Sequence, residues 1–186
     1  MHEDNDFNRL ESDVKKNNIL FQIFIAIVHV FAFFVGYVVV KGLLNFVFTN
    51  VNKSNVSQED LQIAKDAGFI KGFEIVNTVA LKDYCSDSGY VPNIYITKFN
   101  RKFAKTINFA NEKMVTFGTP EEIENEVIKP VYDKSIKLLD DEFKGLNSQY
   151  QITKKDYCQL FDTEANNILI EKEQIFKQQK PALFLD

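Results

Sequence analysis

The chain has 186 residues, 45% of them hydrophobic and 26% charged, with a formal net charge of -4. Beyond residue 50 acids and bases are interleaved without a basic excess, which argues against nucleic acid as a partner. The only histidines are His2 and His29, so the rest of the chain offers no Ser-His-Asp or Cys-His catalysis, no His-ligated zinc and no Glu-x-x-His di-iron repeat.

Residues 1–18 form a polar tail that carries three bases and five acids and ends in Lys15 and Lys16. The next 22 residues, 19–40, contain no charged side chain. At 1.5 Å per helical residue such a run crosses the roughly 30 Å hydrocarbon core of a bilayer, so it is expected to be a transmembrane helix. A mean hydropathy of -0.20 over the whole chain hides this segment, because it averages one very apolar stretch with a polar remainder. A cleavable signal peptide has a shorter apolar core, about 7–15 residues, and a small-x-small site, which Val38, Val39, Val40 and Lys41 do not provide. The segment therefore reads as a retained signal anchor, with residues 41–48 extending it into the interface. Three bases precede the span and Lys41 and Lys53 follow it, which places the N-terminus in the cytoplasm and the C-terminal domain in the periplasm or another extracytoplasmic space. Gln22, Ala26, His29 and Gly36 fall on one face of the span, and Ala32 and Gly36 have small-xxx-small spacing. An amide and an imidazole in hydrocarbon call for hydrogen-bond partners, so this face is the candidate membrane helix–helix contact with another subunit or a second copy.

Residues 49–56 are a polar linker, and residues 57–180 carry helix signals throughout. Ser57 with Asp60 three residues on is close to a capping box and starts a first helix, expected to stop in the Ser86 to Gly89 turn chemistry. Pro92 opens a second, whose apolar positions Ile96, Phe99, Phe103, Ile107, Ala110, Met114 and Phe117 recur at steps of three and four and whose expected stop is Gly118. A short strand around residues 90–97 is the lesser alternative. Thr119, Pro120 and Glu122 start a third helix, with a kink or break expected near Pro130 and an end between Gly145 and Gln149. Thr153 and Asp156 cap a fourth, which Pro181 ends ahead of a short tail, 181–186. The fold class expected is thus all-α: a single N-terminal transmembrane helix followed by a four-helix soluble bundle.

Cys85 and Cys158 sit in the same tetrapeptide, Lys-Asp-Tyr-Cys, although the flanking residues do not continue the match. In an up-down-up-down bundle the end of the first helix and the start of the fourth are neighbours at one end. A disulfide between Cys85 and Cys158 is then expected, closing a loop of about 70 residues worth roughly 4 kcal/mol in the chain-entropy model. Disulfides persist in extracytoplasmic compartments, so this agrees with the charge bias around the span without using the same residues.

No glycine-rich phosphate loop is present, and no cofactor or metal is expected. Carboxylates are the remaining chemistry: Glu121, Glu122, Glu124 and Glu126, and the run Asp140, Asp141 and Glu142. At a helix start such residues complement the dipole, and on a helix face they meet water. Lys98, Arg101, Lys102 and Lys105 form a basic stripe that could meet an acidic partner or lipid headgroups. Together these features point to a membrane-anchored bundle that acts by protein–protein interaction in the cell envelope and is not an enzyme. An accessory subunit of a larger membrane complex, an anchored immunity or exclusion protein, and a two-carboxylate hydrolase are the alternatives.

Overall fold

The computed structural model describes residues 57–179. The expected membrane span and its interfacial extension (19–48), the linker up to residue 56 and the C-terminal tail lie outside the described residues. Among the described residues every regular element is a helix, and no helix is long and apolar enough to cross a membrane. The elements are α1 (Gln58–Asn77), α2 (Val79–Ser86), α3 (Asn93–Lys102), α4 (Ala104–Met114), α5 (Pro120–Ile123), a π-helical turn (Glu124–Ile128), α6 (Lys129–Tyr150), α7 (Lys154–Thr163) and α8 (Ala165–Gln179). They form a helical bundle, and residues 93–102 are helix, not strand.

Local chemistry sets the starts as the sequence implies. Ser57 Oγ accepts the Asp60 N–H at 3.0 Å. Thr119 and Glu122 make a reciprocal capping box with Pro120 in the first turn, and Thr153 and Asp156 make another. Gly89, at φ +75°, follows the end of α2 where a left-handed residue is needed.

Each helix expected from sequence is interrupted, for different reasons. At Thr78 (φ -128°, ψ -82°) the chain leaves the helix. The Asn77 amide donates to the Phe73 carbonyl at 2.7 Å and the Thr78 hydroxyl to the Glu74 carbonyl at 2.8 Å, so side chains take acceptors that backbone amides would otherwise use. At Phe103 and Glu164 the backbone bends while hydrogen bonds continue across, Phe103 N to Phe99 O and Glu164 N to Leu160 O. The kink expected near Ile128 to Pro130 is a π turn over Glu124–Ile128, in which Lys129 N–H reaches back to Glu124 O. Widening the ladder there makes room for a proline ring and for its missing N–H. The second helix ends at Met114, ahead of Gly118, in tight turns from Thr116 N to Lys113 O and Phe117 N to Met114 O.

The end expected between Gly145 and Gln149 comes one residue later: α6 runs through Gly145 to Tyr150 and closes at Gln151 in the left-handed conformation (φ 55°). Glycine inside a helix costs about 1 kcal/mol relative to alanine. Burial of Leu146, 1% exposed, offsets that with roughly 2 kcal/mol of apolar transfer.

Packing brings α1 against α4, α2 and the start of α7 against α6, and α3 against α8. The core has two parts. Around Phe73 the rings of Phe99, Phe103 and Phe176 lie 5.1–5.3 Å away, with Phe69 on Phe176 at 5.5 Å. Around Tyr157 are Tyr84, Phe143 and Phe161 at 5.5–6.2 Å, and Tyr95 joins the two parts through Phe99 and Phe161. Asp162 holds the α2–α3 connection onto α7, accepting from Tyr90 Oη and from the Tyr95 N–H, both at 2.8 Å. A proline before α3 cannot cap it with a side chain, and this carboxylate serves one of its free amides instead.

Candidate functional site

Cys85 at the end of α2 and Cys158 in α7 are brought together, with Sγ–Sγ 2.09 Å and Cα–Cα 5.8 Å, both fully buried. The two Lys-Asp-Tyr-Cys tetrapeptides thus meet side by side: Tyr84 packs edge-on against Tyr157 while the cysteines join. The neighbour relation expected from the bundle order holds.

Directly outside this junction, α2, α6 and the first residue of α7 enclose a cleft of about 470 Å³. Asp83 comes from α2 and Asp87, four residues on, from the position just past its end; Asp133, Lys137 and Asp140 come from one face of α6; Lys154 comes from α7. Tyr84, Tyr132 and Ile136 give the cleft its apolar walls. Its charge is four carboxylates against two ammonium groups.

The groups in the cleft are connected. Tyr132 Oη donates to Asp83 Oδ2 at 2.9 Å, and Tyr84 Oη donates to Asp140 Oδ1 over a long 3.4 Å. Asp140 also pairs with Lys144, whose hydrogen bond is the first cause holding that carboxyl below the usual range. Lys154 Nζ stands 3.9 Å from the centre of the Tyr84 ring, a cation–π contact. Burial, and then the charge and hydrogen bond of Asp140, push the Tyr84 phenol far up. The Tyr132 phenol is also raised, first by burial, then by its hydrogen bond to Asp83 and by the fields of Asp83, Asp133 and Asp87. The Tyr132 hydroxyl thus donates to one carboxylate and lies in the field of two more.

Behind the Tyr84–Tyr157 contact lies a second set of ionisable groups. Burial pushes the Glu142 carboxyl up to about 7, with Lys172 and Tyr157 pulling the other way. It pushes the Lys172 ammonium down to about 8 against the fields of Glu142 and Glu171. Glu142 as a residue is half-buried, but its Oε1 atom is out of solvent, so the desolvation is real at the carboxyl end. The Tyr157 hydroxyl is near enough to Glu142 to be felt as a donor, yet without good geometry: Tyr157 Oη and Glu142 Oε1 have no well-formed partner.

The residues singled out from sequence fare unevenly. The membrane face of Gln22, Ala26, His29, Ala32 and Gly36 lies outside the described residues. In the basic stripe, Lys98 donates to Asn166 Oδ1 at 2.9 Å and Lys102 pairs with Glu173, so both tie α3 to α8, while Arg101 and Lys105 are exposed. Glu121, Glu122, Glu124 and Glu126 are exposed at a helix start, and Glu122 serves the cap. Asp140, Asp141 and Glu142 point to three environments: the cleft, solvent and the interior. Among the described residues no group of three or more His, Cys, Asp or Glu could hold a metal ion. Sequence reasoning missed the cleft residues Asp83, Asp87, Tyr132 and Asp133. The signal was present as acids at 83 and 87 and at 133 and 140, spacings that keep each pair on one helix face.

No protein-family description, no curated protein and no solved structure matches the chain.

Proposed function

We propose that the chain is a single-pass membrane protein with its N-terminus in the cytoplasm, and that its helical domain works outside the cytoplasm by binding another envelope protein. The observation that carries this is the Cys85–Cys158 junction, 73 residues apart in sequence and at bonding distance, in a domain that follows a charge-free run of 22 residues. Paired cysteines of this kind are kept oxidised outside the reducing cytoplasm. Binding is favoured over catalysis because the sequence beyond residue 29 has no histidine and the carboxylates at Glu122 and Asp156 serve helix caps.

The test is made in intact cells. Acid-trapped cells are denatured and alkylated with a maleimide-polymer reagent, with and without prior reduction, while parallel cells are treated with external protease before and after lysis. A mobility shift that requires reduction, together with digestion before lysis, supports the proposal. Free thiols in a domain protected until lysis would sink it. A second reading, a subunit of a larger membrane complex, is favoured by the polar and small residues Gln22, Ala26, His29, Ala32 and Gly36 on one face of the span. Leucine substitutions at Gln22 and His29 would then release the chain from a detergent-stable complex, and unchanged co-migration on native gels would exclude that role.

A further inference from the structure

We propose that the cleft between α2 and α6 is the docking site for an arginine side chain on an exposed segment of the partner protein. That the partner is a protein rests on the function proposed above; the cationic chemistry of the site does not.

The chain itself shows what the cleft prefers. Lys154 crosses from the start of α7 to set its ammonium on the Tyr84 ring, where its charge also helps hold Asp140 ionised. One cation of the chain thus already occupies the α7 side, between an aromatic face and a carboxylate. On the other side the same elements recur with a carboxylate excess: the Tyr132 ring, Asp83 held in place by the Tyr132 hydroxyl, and Asp87 and Asp133 against Lys137, which makes no ion pair among the described residues. Asp87 and Asp133 make no hydrogen bond or ion pair among the described residues. Ile136 provides the apolar wall along which a long aliphatic stem lies while its charged end meets carboxylates.

The shape of the site selects the occupant. A divalent cation needs several oxygens converging at about 2.3–2.6 Å, and the aspartates lining the cleft do not form such a group. A guanidinium is broad and planar, stacks on a tyrosine face and presents several donors to separate carboxylates, which matches acids spread around a ring. Lysine presents only a point charge, so arginine is the expected preference.

The probe is a capped pentapeptide, Gly-Ser-Arg-Ser-Gly, titrated by NMR into the full-length protein in lipid nanodiscs. The same peptide with citrulline in place of arginine keeps the shape and removes the charge. We expect the arginine peptide to shift tyrosine ring signals of the cleft, and the citrulline peptide to bind at least about tenfold more weakly, a difference of about 1.4 kcal/mol. The double variant Asp87→Asn/Asp133→Asn, at exposed positions, should weaken the arginine peptide by about tenfold. Lys154→Met should strengthen it, because a competing cation is gone. Equal binding of the two peptides, binding unchanged in the double variant, or no shift at 10-fold above ~1 mM peptide would each overturn the proposal. So would displacement of the peptide by calcium at equal concentration, since that would assign the cleft to a metal ion. The titration is independent of compartment, so a cytoplasmic domain in the labelling experiment would reject the envelope role and leave this result standing.

Discussion

The two parts of the core solve the same problem differently. Around Phe73 three phenylalanine partners, with Phe69 behind one of them, fill space with hydrocarbon alone, and the rings meet at tilted or edge-on angles. Around Tyr157 the same volume holds hydroxyls, a carboxyl, an ammonium and the Cys85–Cys158 junction. The first part gains from every contact and has nothing to satisfy. The second must find partners for polar atoms, and only some of them succeed. Two cysteines at disulfide distance stand where packing is least self-sufficient, and the cleft opens beside them. The cleft requires polar groups near the surface, and their connections run inward to Tyr157 and Glu142.

The largest effect should come from the hydrocarbon part. Phe73→Ala removes a ring that touches Phe99, Phe103 and Phe176 and leaves a cavity between three helices. It should cost about 4 kcal/mol, read as the shift of the urea midpoint by circular dichroism of the full-length protein in detergent. A loss below about 1 kcal/mol would mean that this part of the core is not tightly packed.

Next comes the junction. Replacing both cysteines by alanine frees a 73-residue separation in the unfolded chain and should cost about 3 kcal/mol, below the loop-closure value of about 4 because an unfolded chain retains some structure. The comparison sharpens if the loss appears chiefly as faster opening of α7 from α2. Hydrogen exchange of Tyr157 and Cys158 amides would then rise far more than that of the Phe73 amide.

Titration of the interior pair is the third effect, and its sign is distinctive. Glu142 is raised from 4.5 to about 7, so between those values the folded state keeps a proton that the unfolded state has lost. Stability therefore falls as pH rises through that window. Lys172 is lowered from 10.5 to about 8, so between 8 and 10.5 the folded state has given up a proton that the unfolded state keeps, and stability rises with pH there. The result is a trough in stability near pH 7–8. Urea midpoints at intervals from pH 5 to 9.5 measure it. Glu142→Gln should flatten the acid limb and, by removing a field that helps Lys172 keep its proton, extend the alkaline limb to lower pH.

These differences also explain what could be read from the sequence. The caps at Ser57, Thr119 and Thr153 were legible because they need only residues three apart. The cysteine pairing was legible because helix order alone puts Cys85 beside Cys158. The break at Thr78 was not, since it depends on two side chains taking carbonyls one turn back, a competition that propensity does not resolve. The cleft was illegible for another reason: its two acidic faces lie on helices some fifty residues apart, and Asp83 meets Tyr132 only after folding. The interior position of Glu142 was hidden likewise, because in sequence it ends a run of acids that reads as solvated.

The smallest effects separate two tyrosines that look alike in sequence, both fully buried. Tyr95 Oη donates to Asn77 Oδ1 at 2.7 Å, and the Asn77 amide in turn caps the Phe73 carbonyl at the break between α1 and α2. Tyr95→Phe leaves a buried amide oxygen without its donor, which should cost about 1.5 kcal/mol. Tyr157 Oη makes no comparable bond, so Tyr157→Phe removes a group that burial already penalises. Its effect should lie near zero at pH 5, where Glu142 is protonated in the folded domain. At pH 8 it should become a small loss, because the hydroxyl then faces a carboxylate and helps hold its charge. Paired urea titrations of the two variants at both pH values decide this. If Tyr157→Phe cost as much as Tyr95→Phe at pH 5, the Tyr157 hydroxyl would have to hold a full hydrogen bond, and the contrast between a satisfied and an unsatisfied tyrosine would fail.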